Sequence, residues 1–253
     1  MSNDSIGKTF LVAALLCIVC SILVSTAAVR LKPLQEENKA LFKKTNILKA
    51  AGILEDGANI DELFKSVEVK YIDLATGKFN ESVDPNTFDE KTALTKPDLS
   101  IQIPPDADLA GIKRRVNTAE VFLVKKDDQI ETIILPVYGK GLWSTMYAFL
   151  ALAPDGKTIK GFSFYDHAET PGLGGEIDNP NWQAQFKGKK VFNDSGDLKI
   201  DILKGSVDLS KPEAVYQADG LAGATLTTNG VENMLRFWLG PDGFEKFLRT
   251  VQK

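Results

Sequence analysis

The stretch with the most chemical potential is Asp219-Gly220-Leu221-Ala222-Gly223-Ala224-Thr225-Leu226-Thr227-Thr228-Asn229-Gly230, which runs directly into an amphipathic helical pattern. Its small residues let the backbone approach another group closely. Its hydroxyls gather at a helix start, where unpaired N–H groups and the helix dipole favour a phosphate. A second reading is equally physical: Thr227, Thr228 or Asn229 caps the helix, with Asn229 and Glu232 related as a capping box. On these residues alone both readings stand.

Two further blocks are rich in glycine and aromatic residues: Gly139-Lys140-Gly141-Leu142-Trp143-Ser144-Thr145-Met146-Tyr147-Ala148-Phe149-Leu150-Ala151-Leu152, and Tyr165-Asp166-His167-Ala168-Glu169-Thr170-Pro171-Gly172-Leu173-Gly174-Gly175-Glu176. Other chemistries are excluded by simple counting. A formal net charge of −4 offers no basic footprint for nucleic acid. Both cysteines, Cys17 and Cys20, lie in an apolar run where a thiolate is strongly disfavoured, so they read as small apolar filler. With one histidine, His167, no multi-histidine metal site exists within this chain, and no metal site is expected. Nor is there a G-x-G-x-x-G dinucleotide fingerprint.

The elements that must position these blocks are legible in the periodicity. Strands are predicted over Val67–Leu74, Thr118–Val124, Gln129–Leu135, Thr145–Leu152, Ile159–Tyr165 and Leu198–Leu203. Turns fall at Asp56-Gly57, Thr76-Gly77, Lys126-Asp127-Asp128 and Pro154-Asp155-Gly156-Lys157. Helices are predicted over Leu34–Gly52, Ile60–Ser66 and Asn179–Phe186, from about Thr227, and around Phe244 to Val251. Residues 80–105, rich in Pro, Asp, Thr and Lys, read as a surface connection. The fold class is therefore α+β: a transmembrane helix followed by one domain with an antiparallel sheet flanked by helices.

Residues 10–29 are uncharged and apolar, and as a helix they span about 30 Å, the thickness of a hydrocarbon core. A cleaved signal peptide is the alternative, since Ser25-Thr26-Ala27-Ala28 supplies small residues. The run exceeds a usual signal core and is followed at once by Arg30 and Lys32, which favours a retained anchor. The organisation is then a tail at 1–9, an anchor at 10–29 and a soluble domain at 30–253. Flanking charge alone places that domain in the cytoplasm, but the rule is weak for so long a following domain.

The Asp-x-x-x-Gly-Ala-Thr pattern, the two glycine-rich blocks, Asn179-Pro180-x-Trp182 and the tail Asn233-Met234-Leu235-Arg236-Phe237-Trp238-Leu239-Gly240 together resemble the C subunits of bacterial sodium-translocating NADH:quinone reductases. The resemblance covers the anchor and most of residues 138–240, with an FMN-binding core at about 136–240. It implies an electron-transfer subunit that carries FMN as a phosphoester on Thr225, within a complex that oxidises NADH, reduces ubiquinone and moves sodium. It also implies that a flavin transferase reads Asp219, Gly223 and Ala224 during maturation, and that the domain lies on the periplasmic face of the inner membrane. A phosphate ester needs an alcohol oxygen as nucleophile, which Thr225 supplies.

Given such a cofactor, the Gly172-Leu173-Gly174-Gly175 turn offers backbone N–H groups to the ring edge. Tyr138, Trp143 and Leu173 offer cover for its faces, with Thr170 and Thr227 as hydroxyl contacts. An electron-relaying flavin needs no acid–base pair, so His167 and Glu169 are not expected to be catalytic, and no catalytic residue is assigned. Two rivals remain: the G subunit of the related ferredoxin:NAD complex, and a membrane-tethered binding or assembly protein without a cofactor.

Overall fold

The computed structural model describes residues 5–55, 57–85 and 87–251. Asp56 of the expected Asp56-Gly57 turn and the first residues of the expected tail lie outside the described residues. The chain divides into two compact units, residues 1–43 and residues 44–253. Helix α1 runs from Ile6 to Ala51 and is long and apolar enough to cross a membrane. The sequence suggested two helices here, but Pro33 lies inside a single one. A proline removes one backbone donor and favours a kink, yet the turns on either side hold.

The second unit is built on a six-stranded antiparallel sheet. Its strands are β1 (Val67–Asp73), β2 (Lys78–Phe79), β5 (Thr118–Lys126), β6 (Gln129–Lys140), β7 (Thr145–Leu152) and β8 (Ile159–Asp166), in the order β2-β1-β5-β6-β7-β8. Asp127 and Asp128 both adopt positive φ, 52° and 60°. Positive φ at both central residues marks the tight turn that suits the twist of a two-residue hairpin, here between β5 and β6.

β6 continues five residues past the predicted end at Leu135, through Pro136 to Lys140. A proline is tolerated because the pairing of β6 with β5 ends at Ile134, so beyond that point the strand needs a partner only in β7. That extension carries Tyr138 into the core, where it is 7% exposed.

Both faces of the sheet are covered, which explains the nearly unbroken apolar runs in β6 and β7. On one face Val121, Leu123, Ile133, Leu135 and Leu150 pack with Val231, Leu235 and Trp238 of α5 (Thr225–Trp238) and with Phe247 and Leu248 of α6 (Glu245–Val251). On the other, Phe122, Ile134, Phe149 and Ala151 meet Ile47, Leu48, Ala50 and Ala51 at the end of α1. There Gly161 is required, since a Cβ would run into the Ala50 carbonyl. Gly52, at φ +72°, closes α1 as expected, its N–H donating to the Lys49 carbonyl.

A short helix α2 (Ile60–Phe64) precedes β1, and the expected connection at 80–105 holds more structure than its composition suggested. It contains α3 (Glu90–Thr95), capped by Asp89 through a 2.7 Å bond from the Thr92 N–H, and β3 (Ser100–Gln102), which pairs with β4 (Arg114–Val116). Such short elements leave no readable period. Finally, α4 (Pro180–Ala184) packs near β8, and the parallel pair β9 (Asp201–Leu203) and β10 (Gln217–Asp219) leads into α5.

Candidate functional site at the start of helix α5

The Asp219–Asn229 loop is held by a set of bonds that leave Thr225 free. Asp219 Oδ1 accepts from the Val207 N–H at 2.8 Å, its own N–H donates to Gln185 Oε1 at 2.9 Å, and its carbonyl accepts from Trp182 Nε1 at 2.8 Å. Asn179 caps α4 and so aims Trp182 and Gln185 at this strand. Gly220 lies against the Leu203 carbonyl, where a Cβ cannot fit. The Thr228 hydroxyl accepts from the Leu221 N–H at 3.0 Å and donates to the Ala224 carbonyl at 3.1 Å.

Helix α5 therefore begins at Thr225, two residues before the predicted start. The expected Asn229–Glu232 capping box does not form, because those residues fall inside the helix. Ala224 occupies the cap position with no side-chain hydrogen bond to the first turn. Thr225 is exposed, and it borders an open depression of about 400 Å³ whose rim includes Lys204, Ser206, Asp219 and Asn229. An uncapped first turn with an outward alcohol is a place where a phosphate can be both esterified and held by backbone N–H groups.

Thr227 behaves differently. It is 1% exposed and donates to Glu169 Oε2 at 2.6 Å, so its hydroxyl is committed within the protein and does not face the open site expected for it. The same carboxylate accepts from the Leu142, Trp143 and Ser144 N–H groups at 3.2, 2.9 and 3.2 Å. Burial would raise the Glu169 pKa, but these four bonds outweigh it and hold the group below the ordinary glutamate value. Gly141 and Gly174 make room for it, since a Cβ at either would come within 2.9 Å of a carboxylate atom.

Around this hub lies an exposed apolar surface: Trp143 is 66% exposed, Leu173 47% and Leu226 61%. Leu173 reaches across to Gly223, which has a positive φ of 75°. Thr170 and Gly172 are exposed beside it, whereas Gly174 is buried. The turn offers fewer free amides than expected, because the Leu173 and Gly175 N–H groups already donate to the Thr170 carbonyl at 3.1 and 2.9 Å.

Tyr138 stands apart from the surface on which it was expected. Its ring packs 4.8 Å from that of Trp238, whose Nε1 donates to the Tyr138 carbonyl at 2.7 Å. Burial pushes its phenol well up, with the Glu90 carboxylate adding to the shift. The His167 ring bonds away from the Glu169 carboxylate: its Nε2 meets Asp178 Oδ2 at 2.8 Å, and its Nδ1 accepts from the Glu169 backbone N–H at 3.1 Å.

Residues 141–240 match the family model described as an FMN-binding domain. Over 257 aligned residues the chain is 49% identical to the C subunit of the Na(+)-translocating NADH-quinone reductase of Yersinia pestis, covering 100% of this chain and 95% of that protein. The corresponding Pseudomonas aeruginosa protein is 48% identical, with 100% and 98% covered. The chain belongs to the NqrC family. Among solved structures, Shewanella oneidensis NqrC superposes with a TM-score of 0.75 at 36% identity, covering 83% of this chain and 95% of that one. The Parabacteroides distasonis member of the family gives 0.67 at 27% identity, with 86% and 96% covered. The helix-flanked antiparallel sheet described above is thus the NqrC fold.

Glu169 is the residue that reading the sequence missed as a site element. An acid directly before a Thr-Pro-Gly-Leu-Gly-Gly run was the available signal, since glycines crowd where a buried group needs room.

Proposed function

We propose that this NqrC-family chain is the FMN-bearing electron-transfer subunit of a sodium-translocating NADH:quinone reductase, with FMN joined by a phosphoester bond to the Thr225 side-chain oxygen. Full-length identity to proteins named as the C subunit of that reductase supports this over the G subunit of the ferredoxin:NAD complex. The observation that carries the covalent link is the Thr225 hydroxyl itself, exposed in an uncapped first turn and bordering the open depression.

The residues present suit such a group. Transfer from FAD by a flavin transferase forms the bond from the Thr225 oxygen to phosphorus and breaks the pyrophosphate link, with AMP leaving and the hydroxyl proton lost. Asp219, Gly223 and Ala224 give the segment its shape. Backbone N–H groups of the first turn of α5 would hold the phosphate, and Trp143 and Leu173 would offer apolar surface to the ring, with Thr170 and Gly172 as further contacts. When bound, FMN supplies the capacity to accept and pass on single electrons. The chain contributes attachment, orientation and exclusion of water, and other subunits of the complex carry the end reactions.

The apolar part of α1 acts as a single-pass anchor in the bacterial inner membrane, and the domain faces the periplasm, where a tethered flavin cannot be lost by dilution. Expressing wild type and Thr225→Val with the transferase, then reading flavin fluorescence on the denatured chains, tests the assignment. The valine chain should fold and carry no covalent flavin. Fluorescence retained on that chain would move the attachment elsewhere.

A further inference from the structure

We propose that Glu169 is a positioning residue for the flavin, its buried carboxylate locking the Leu142–Ser144 loop to the first turn of α5 so that the Trp143 indole is fixed relative to the Thr225 oxygen. This rests on the assignment of FMN to Thr225. Trp143 is 66% exposed, so little packing beneath the indole can set its place. Its position must come from its backbone: Glu169 accepts from that residue's N–H and from the N–H on either side, while Lys140 Nζ donates to the Trp143 carbonyl at 3.2 Å and the Ser144 hydroxyl accepts from the Ala168 N–H at 2.7 Å. The fourth bond, from Thr227, reaches a residue two places along the same helical turn from Thr225. One carboxylate therefore ties together segments 25 to 27 and 58 residues away from it in the chain.

A carboxylate has about four lone-pair sites, and all four bonds here come from neutral donors. No basic side chain is among those donors, and the Lys140 ammonium is engaged by the Trp143 carbonyl at 3.2 Å rather than by the carboxylate, so Glu169 keeps its negative charge beside the site. A fixed negative charge disfavours adding an electron nearby, and poor screening in a buried setting strengthens the effect. Glu169 thus both positions the ring cover and lowers the flavin midpoint potential. Glutamine has nearly the same shape but is neutral and keeps one acceptor oxygen while turning an N–H group toward the remaining donors, so it removes the charge and weakens the link while filling the same space.

The test uses the full chain in detergent, flavinylated by the transferase, as wild type, Glu169→Gln and Thr227→Val. Peptide mass at Thr225 is checked in each. Expected for Glu169→Gln are a fall in flavin fluorescence anisotropy, a more positive midpoint potential and faster hydrogen exchange at the Leu142–Ser144 amides. The exchange change should persist when Thr225→Val is added and no flavin is attached. Thr227→Val keeps the charge and cuts only the link to α5, so anisotropy should fall with a smaller change in potential; it serves as the test if the glutamine variant does not fold. Unchanged anisotropy and potential on a flavinylated variant would overturn the role of Glu169. An unmodified Thr225 peptide in the wild type would instead overturn the underlying assignment.

Discussion

Thr227 donates its hydroxyl to the Glu169 carboxylate at 2.6 Å, while Thr225, two residues before it in the helix, is exposed. Two threonines in one turn thus take opposite roles, one stitching the site together and the other left available for modification. Removing the Thr227 hydroxyl leaves a buried carboxylate short of a donor. Hydrogen bonds to charged groups are worth about 1.5–3 kcal/mol, so Thr227→Val should lose about that much stability in urea unfolding. It should still be esterified at Thr225, as a mass measurement will record.

Acid should weaken the domain through the same group. The folded-state pKa of Glu169 lies below its ordinary value of 4.5, so its contribution is complete above that value and is lost as pH falls through the folded one. Stability measured from pH 7 down to 3 should drop more steeply in the wild type than in Glu169→Gln below about pH 4.5. Parallel profiles would show that the carboxylate is not stabilised by its four donors.

Trp143 offers a clean separation of stability from cofactor contact. Because it is 66% exposed, Trp143→Ala should change the unfolding free energy of the unflavinylated chain by no more than about 0.5 kcal/mol. In the flavinylated chain, loss of an indole that quenches flavin emission should raise the fluorescence yield. An unaltered yield would place the ring away from this side chain.

How much of this could be read in the sequence depends on the reach of the interactions involved. β7 was legible to the residue, and β5, β6 and β8 in position, because their patterns are set by their own side chains and bounded by turns such as Asp127-Asp128. Tyr138 was misplaced because the strand was expected to end at Leu135, whereas beyond Ile134 it needed pairing only with β7 and carried the ring into the core. The start of α5 was shifted because Thr227 and Thr228, local capping candidates by type, bond instead to Glu169 and to the preceding loop. Glu169 itself was invisible as a hub, since its partners lie 25 to 58 residues away.

Membrane topology is open to a direct chemical probe. The native cysteines, Cys17 and Cys20, lie in the apolar part of α1, and Leu209 is 81% exposed in the domain. A cysteine introduced as Leu209→Cys should react with a membrane-impermeant maleimide added to intact cells permeable only at the outer membrane. Labelling that requires lysis would put the domain in the cytoplasm instead.

The most direct measurement is the mass and fragmentation of the proteolytic peptide spanning Thr225, taken from chain purified out of native membranes. The account predicts a mass raised by FMN less one water, with fragments that place the added group on the Thr225 oxygen. A peptide from the same membranes at its unmodified mass, or with the group on Thr227 or Thr228, would contradict it.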